Sequence, residues 1–333
     1  MKRRRVARAG RRAVGGTGRR GVSRPGRRAV AAYPRGAARA SGAARRRTGA
    51  PRAGTLAPGG QTGLEIDGKA VSAHLERFIR DETRRAGASR VVVGVSGGID
   101  SAVSATLAAR ALGPQNVVAV LMPYRTSSPD SLGDARELAR RLGVRTEQVD
   151  ISPMVDAYFA SRPDADRVRR GNKMARERMS ILYDLSAVHE ALVLGTSNKT
   201  EILLGYGTLY GDTASAINPI GDLYKAQVRA LAGFLEVPGK IRRKTPSADL
   251  WPEQTDEGEL GYTYDELDRL LVLIVDRRLS PREAAACGFA PAMVRAVLER
   301  VRRNQFKRRP PLIAKVSART IGIDFRYPRD WGT

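Results

Sequence analysis

The sequence predicts an α/β protein, with a doubly wound, Rossmann-like parallel sheet followed by C-terminal helices. Two observations predict this class. As far as residue 222, short apolar runs rich in β-branched residues alternate with helical segments, and from residue 223 onward nearly all of the periodicity is helical. In such a sheet, ligands bind at the carboxyl ends of the strands, so the polar loops that follow the strands are the first places to search for a site.

Four strands are predicted, and composition gives each a place in the sheet. Residues 91–95 and 116–122 are apolar and β-branched, which predicts two buried strands. Residues 145–151 are more polar and predict a strand nearer an edge, and 191–196 predict the fourth. Helices are predicted within 66–86, from the first loop to 112, and at 130–142, 174–190, 224–235, 264–275, 281–287 and 291–302.

One long segment, 244–260, is rich in Pro, Asp, Glu and Gly and has no periodicity. It is long for a simple connection between helices. Two interpretations stay open: a mobile lid over the site, or an ordinary surface loop.

Charge is distributed unevenly along the 333 residues, whose formal net charge is +25. Residues 1–60 contain 18 of the 59 Lys and Arg residues and no Asp or Glu. The rest has 41 basic against 34 acidic residues, an ordinary balance for a globular protein. We predict a disordered basic leader over 1–60, which lacks the apolar residues for a core, and one folded domain over 61–333.

Three interpretations of the leader are open. Its arginines could bind nucleic acid through phosphate contacts, it could be a targeting peptide, or it could be an extension without function. The last is favoured, because Tyr33 is the only aromatic residue among the arginines.

Composition also excludes several classes of protein. No apolar stretch is long enough to span a membrane. The single Cys287 excludes an internal disulfide and a cysteine metal cluster, which favours a cytoplasmic location. His74 and His189 have no metal-ligand neighbours in the sequence and are expected to be structural.

The loop SGGIDS at 96–101 is the most informative stretch of the chain. It links a buried strand to an alanine-rich helix, so backbone N–H groups and the positive end of the helix face one point. Gly97 and Gly98 let an anion approach the backbone, and the flanking serines add hydroxyl donors. Asp100 would repel a phosphate unless a cation lay between them, which indicates a magnesium ligand. The alternative is an ordinary strand–helix turn with an acid near the helix start.

Two further loops follow strands in the same way, at 124–128 and 196–201. Glu201 is expected on the first turn of the next helix, facing the first loop across the strand ends. With Asp100 it forms a candidate pair of ligands for one Mg²⁺. Considered alone, Glu201 is better explained as an acid that the helix dipole favours.

The loop at 96–101 resembles the Ser-Gly-Gly-x-Asp-Ser loop of the ATP pyrophosphatases, which split ATP into AMP and pyrophosphate, and it lacks the Gly-Lys-Ser/Thr of a Walker A loop. Seven further motifs are similar, in the same order, to those of the ammonia-dependent NAD⁺ synthetase family. These motifs are GNKMARERM (171–179), LGTSNKTE (194–201), GYGTLYGD (205–212), PIGDLYK (219–225), PSADL (246–250), QTDE (254–257) and ELGYTYD (259–265). The resemblance extends over residues 65–331 and implies the adenine nucleotide alpha hydrolase-like form of the fold.

This resemblance implies a ligase that adenylates the carboxylate of deamido-NAD⁺ with ATP and Mg²⁺ and releases pyrophosphate. Ammonia, either free or supplied by a separate partner, then attacks the acyl-adenylate to give NAD⁺ and AMP. The resemblance also implies a homodimer with the dinucleotide site near its interface.

The resemblance assigns roles to individual residues. The residues implied to bind ATP are Gly94, Val95, Ser96, Gly97, Gly98, Ile99, Asp100, Ser101, Thr196, Lys225 and Ser247. Those implied to bind deamido-NAD⁺ are Asn172, Arg176, Phe306 and Lys307. Asp212 and Lys225 are implied to be catalytic, and Asp100 and Glu201 to hold Mg²⁺.

Three positions depart from the family pattern, and all three belong to its dinucleotide side. Leu209 stands where the family has Lys, Ala216 where it has an acid, and Phe306 where it has His. The acceptor pocket is therefore expected to have lost charge, while the ATP residues are intact. Two alternatives stay open: a ligase of this fold that amidates a different carboxylate, and a nucleic-acid-binding or tRNA-modifying protein that uses the basic leader.

Overall fold

The computed structural model describes residues 63–251 and 253–321, which are built around a parallel sheet. Its strands are β1 Arg90–Gly94, β2 Val117–Leu121, β3 Arg145–Gln148 and β4 Ala191–Leu194. They lie in the order β3-β2-β1-β4, and each neighbouring pair is parallel. The winding direction reverses between β1 and β4, which creates the switch point where doubly wound folds bind ligands. The predicted fold class is confirmed. The predicted leader lies outside the described residues.

The burial of each strand follows its composition. Every residue of β2 is buried, as are the valines of β1. Alternate valines face opposite sides of the sheet, so Val91 and Val93 belong to one core and Val92 to another. β3 is polar and mostly exposed, as predicted for a strand at the edge.

Helices cover both faces of the sheet and form the C-terminal part of the described chain. The α-helices are α1 Gly68–Arg85, α2 Ile99–Leu112, α3 Pro129–Leu142, α4 Ser152–Phe159, α5 Arg167–Val188, α6 Lys199–Leu204, α7 Lys225–Phe234, α8 Gly239–Arg243, α9 Asp256–Leu260, α10 Tyr264–Leu271, α11 Pro281–Ala286 and α12 Pro291–Arg303. Two 3₁₀ turns, Pro114–Asn116 and Gln305–Arg308, and one π-helix, Val272–Asp276, complete the set that the described ranges contain.

The helices pack in layers around the sheet. On one face, α1, α2 and α7 bury Ile79, Leu107 and Leu231 against Val91 and Val93 of β1. On the other face, α5 packs Ile181 and Leu185 against the alternate strand residues. A separate apolar cluster joins α10, α11 and α12 beyond the sheet. Within the described ranges, none of the helices has the length and apolarity needed to cross a bilayer.

The helix boundaries differ from the predicted ones where a cap or a change of helix type decides them. The helix predicted at 174–190 begins at Arg167, because the Asp166 side chain accepts the Arg169 N–H (2.7 Å) and caps it there. The helix predicted at 264–275 ends as an α-helix at Leu271 and continues as a π-helix. The aperiodic segment 244–260 contains one short helix, α9, which Thr255 caps.

Candidate active site

The loop predicted to bind phosphate joins β1 to α2 at the centre of the sheet. Gly98 is the N-cap of α2 and supplies no side-chain cap, so the first N–H groups of the helix remain available to a ligand. The Ser101 hydroxyl donates to the Gly98 carbonyl (3.0 Å) and accepts the Ser96 N–H (3.2 Å), which closes the turn. Gly97 has φ +80°, and a Cβ there would lie 2.2 Å from the Ser131 carbonyl oxygen. This turn therefore requires glycine.

The two residues predicted as metal ligands lie on either side of the Lys225 ammonium. Asp100 Oδ2 is 2.5 Å from Lys225 Nζ, and Glu201 Oε1 is 3.4 Å from the same nitrogen. Because Asp100 Oδ2 and Glu201 Oε1 both contact the same nitrogen, these two oxygens lie close to each other. Asn198 donates to Asp100 Oδ1 (2.9 Å) and forms a reciprocal cap with Glu201 at the start of α6. The ends of β1 and β4 thus bring both acids to one point.

Burial controls the protonation of this cluster. Burial and the neighbouring Asp100 raise the pKa of Glu201 to about 8. Burial disfavours the charged form of Lys225, but Asp100 and Glu201 outweigh it and raise the pKa of this lysine above its ordinary value. Lys225 is 2 % exposed, and its Nζ lies 4.8 Å from the centroid of the Tyr264 ring. Once Glu201 has lost its proton, one ammonium faces two carboxylates, and a further cation is then electrostatically favoured.

The donor set fits Mg²⁺. This ion prefers oxygen ligands, and it is often held by one or two carboxylates while substrate phosphates complete its shell. Among the residues that the structure describes, no group of three or more His, Cys, Asp or Glu side chains is placed to hold a metal ion. The chain thus offers the pair Asp100 and Glu201, and a nucleotide would have to add further ligands.

A cleft of about 470 Å³ opens over the carboxyl ends of the strands. Its walls come from the loops after β1, β2 and β4, from α5, and from segments 205–214 and 248–251. The predicted site residues that line it are Gly94, Val95, Ser96, Ser101, Asn172, Thr196, Asp212 and Lys307. The cleft therefore joins five of the residues implied for ATP to two of those implied for the dinucleotide and to Asp212.

Other predicted residues lie beside the cleft. Gly97, Gly98, Ile99 and Asp100 complete the β1–α2 turn. Lys225, at the start of α7, contacts both Asp100 and Glu201. None of these residues lines the cleft itself. The exposed Ser247 adjoins the cleft-lining residue Ala248.

Two residues predicted on the dinucleotide side point elsewhere. Arg176 is exposed, and its Nε donates to the Leu209 carbonyl oxygen (3.3 Å). Phe306 is 58 % exposed and lines a neighbouring groove with Leu204 and Tyr262, not the cleft. Successive residues of the short turn after α12 face different ways, so this turn brings Lys307 to the cleft and directs Phe306 away from it.

Asp212 lines the cleft in the segment that follows α6. The Thr208 N–H donates to Asp212 Oδ1 (2.7 Å), and the Thr208 hydroxyl donates to Asn172 Oδ1 (2.8 Å). Lys307 Nζ donates to carbonyl oxygens of the 205–207 turn (2.7 Å each). Desolvation raises the pKa of Asp212, although the Thr208 N–H and the charge of Lys307 oppose this. Thr208 thus links two residues implied for the second substrate.

Asp256, at the start of α9, is a buried acid to which no role was assigned from the sequence. It is 5 % exposed, and the hydroxyls of Tyr206 and Tyr264 donate to its two oxygens (3.0 Å each). Burial raises the pKa of Asp256, and the charge of Lys225 opposes this. The motif QTDE contains the residue, and Tyr264 lies close by in sequence, but Tyr206 comes from a distant segment that only folding brings near. These bonds fasten one end of segment 244–260 beside the metal pair.

The fold and the site define the class of protein. A phosphate-binding turn at the switch point of a doubly wound sheet, next to paired carboxylates, is the arrangement of a nucleotide-dependent α/β enzyme. A family model described as NAD synthase matches residues 71–311. The chain belongs to the NAD synthase family of ligases.

Named relatives are similar over most of this chain. The NH(3)-dependent NAD(+) synthetase of Trichlorobacter lovleyi is 58 % identical over 269 residues, which cover 81 % of this chain and 98 % of the relative. The solved NMN synthetase from Francisella tularensis is 33 % identical with a TM-score of 0.67, covering 75 % of this chain and 99 % of that one. The NH3-dependent NAD synthetase from Campylobacter jejuni, solved with a nitrate ion, is 35 % identical with a TM-score of 0.65, covering 75 % and 100 %. The predicted family and its adenine nucleotide alpha hydrolase-like fold are confirmed.

Proposed function

We propose that this protein converts deamido-NAD⁺ to NAD⁺, using ATP and ammonia and forming an acyl-adenylate, AMP and pyrophosphate. The observation that carries the proposal is the convergence of the β1–α2 turn, Asp100, Glu201 and Lys225 beside a cleft that Asp212 also lines. The high identity to NH(3)-dependent NAD(+) synthetases supports the choice of acceptor and nitrogen donor.

At one end of the cleft, the proposed role of the chain is to bind the phosphates of ATP. The N–H groups of the first turn of α2, residues 99–101, stabilise the negative charge that leaves as pyrophosphate. Lys225 orients Asp100 and Glu201 and offsets their charge. Mg²⁺, when bound to these two carboxylates, would neutralise further phosphate charge.

At the other end, the proposed role is to prepare the nitrogen nucleophile. Asp212 has a raised pKa, so it is a stronger base than an ordinary aspartate. It accepts a proton from ammonium, and the resulting ammonia attacks the acyl carbon. The carbon–oxygen bond to the phosphate of AMP then breaks, the attached nitrogen loses a proton to solvent, and the amide and AMP leave.

A mononucleotide acceptor is the second candidate. The solved relative named NMN synthetase favours it, as do Leu209, Ala216 and Phe306, which replace polar residues of the family pattern. None of these three side chains belongs to the lining of the cleft. The contacts that would recognise the second half of a dinucleotide are therefore the weakest part of the resemblance.

The two acceptors are separated by product analysis. We expect the full chain, given ATP, Mg²⁺ and ammonium, to form NAD⁺, AMP and pyrophosphate in equal amounts from deamido-NAD⁺. A higher kcat/KM for the nicotinate mononucleotide would favour the second candidate. Absence of AMP formation with either acid would refute the proposal.

A homodimer and a cytoplasmic location complete the proposal. Exposed apolar side chains on α5, namely Val168, Tyr183 and Val188, support self-association, and sedimentation at several concentrations tests it. The single cysteine supports the cytoplasmic location.

A further inference from the structure

Arg178, in the middle of α5, lines the cleft, and the proposed reaction gives it no role. Its Nε donates to the carbonyl oxygen of Met122, the first residue after β2 (3.0 Å). This bond fixes the guanidinium at the carboxyl end of a central strand. The side chain is half-buried, so it is held in place but still reaches the cleft.

The two terminal nitrogens of Arg178 remain available. Within residues 63–251 and 253–321, the Nε bond is the only hydrogen bond of this side chain, and it forms no ion pair. These two nitrogens have no hydrogen-bond partner among the described residues, yet they do not belong to the buried polar atoms that lack one. They are therefore exposed, and they face the cleft that Arg178 lines. A guanidinium carries N–H donors on all of its nitrogens, and its fork matches a carboxylate or a phosphate.

The nearby acids are already engaged by other groups. Asp249 accepts the Ser128 N–H (3.0 and 3.3 Å), and Asp212 accepts the Thr208 N–H. Desolvation lowers the pKa of Arg178, while the charges of Asp249 and Asp212 favour its charged form. The guanidinium thus stays charged between the ATP-side segment and the acceptor end, without pairing to either acid.

We propose that Arg178 binds an oxyanion of the reacting substrates through its terminal nitrogens. The shared chemistry is a planar or tetrahedral oxyanion, and its two possible sources are the α-phosphate of ATP and the carboxylate of the acceptor. The inference rests on the proposed function, in which these two negative groups must approach each other. A fixed cation at their meeting point offsets their repulsion.

A purely structural role predicts something different. In that case, Arg178 only ties α5 to the end of β2, and its loss changes stability but not substrate affinity. Arg170, on the same helix, provides the matched control. Its Nε also donates to a backbone carbonyl oxygen, that of Ala165 (3.1 Å), but it does not line the cleft.

The experiment compares Arg178→Gln with Arg170→Gln in the full chain, by calorimetric titration with Mg²⁺ and α,β-methylene-ATP, with deamido-NAD⁺, and with NAD⁺. We expect Arg178→Gln to lower the affinity for either the ATP analogue or deamido-NAD⁺ by roughly 10- to 100-fold, as for loss of a charge-assisted hydrogen bond. Arg170→Gln should leave all affinities unchanged. Loss confined to the ATP analogue assigns the contact to the phosphate. Loss for deamido-NAD⁺ but not NAD⁺, which carries an amide instead, assigns it to the carboxylate.

Unchanged affinities for both anionic ligands in Arg178→Gln would overturn the inference. If that variant does not fold, Arg178→Lys keeps the charge but not the fork, and it should show a smaller loss for the same ligand. Unchanged affinities in a folded Arg178→Lys would then be the contradicting result. The titration with the ATP analogue does not depend on the acceptor. If the wild-type protein did not bind or convert deamido-NAD⁺, the proposed function would be refuted. The affinity of Arg178→Gln for the ATP analogue would still test whether Arg178 binds phosphate.

Discussion

Replacing Lys225 with methionine is expected to destabilise the metal-free protein strongly and to make its stability depend on Mg²⁺. The substitution keeps the length of the side chain but removes the ammonium that lies 2.5 Å from Asp100 and 3.4 Å from Glu201. Both acids are largely buried, with side chains 17 % and 16 % exposed. Removing one partner of such a buried cluster costs about 3–5 kcal/mol.

The size of the effect should depend on pH and on the ion. The full cost is expected only where both carboxylates are charged. The Lys225 charge lowers the Glu201 pKa, so its loss lets Glu201 keep a proton to higher pH than in the unchanged protein, and the deficit should grow as the pH rises. Added Mg²⁺ should also reduce the deficit, because it binds the folded state where the ammonium was.

Lys199→Met is the matched control. Lys199 also lies between two acids, Asp222 and Asp276, and over a tyrosine ring, that of Tyr224 at 4.6 Å. Those acids are 96 % and 40 % exposed, so the pairs should contribute only about 0–1 kcal/mol and give no Mg²⁺ dependence. Urea unfolding of both variants at a pH of about 9, with and without Mg²⁺, measures the difference. Equal destabilisation by the two substitutions, or no response of Lys225→Met to Mg²⁺, would refute the reasoning.

Three further predictions concern pH, the glycine turn and the leader. Because Glu201 must lose its proton to bind a cation, Mg²⁺ affinity should rise with pH up to about 8, and Glu201→Gln should weaken binding and flatten this titration. Gly97→Ala should cost at least about 2 kcal/mol in thermal unfolding and abolish ATP binding, since its Cβ meets the Ser131 carbonyl oxygen, whereas Gly133→Ala, with open space in α3, should not. Deleting residues 1–60 should leave ligase kcat/KM unchanged; a large loss would show that the leader contributes.

Local sequence patterns were sufficient to predict the β1–α2 turn and the meeting of Asp100 with Glu201. Each residue lies in the first turn of the helix that follows a strand, and the carboxyl ends of neighbouring parallel strands must lie side by side. The sequence could not show that Lys225 would separate the two carboxylates, because it approaches from the start of α7.

The sequence did not predict the site residues whose orientation is set by packing between separate elements. Arg178 is two positions from Arg176 on α5, and periodicity alone does not say which of the two faces the cleft. Asp256 is held in the site by hydrogen bonds from two tyrosines in other helices and loops, and its own motif does not predict these bonds. Phe306 and Lys307 are adjacent in sequence, and only the orientation of the turn after α12 decides that Lys307 enters the cleft.

The most direct test of the central claim is single-turnover pyrophosphate release from ATP, with Mg²⁺ and deamido-NAD⁺, in Asp100→Asn. Asp130→Asn is its control, because Asp130 also occupies the first turn of a helix that follows a strand but is 77 % exposed. We predict a loss of about 100-fold or more for Asp100→Asn and none for Asp130→Asn. Release at the wild-type rate from Asp100→Asn would contradict the account of how this chain activates its substrate.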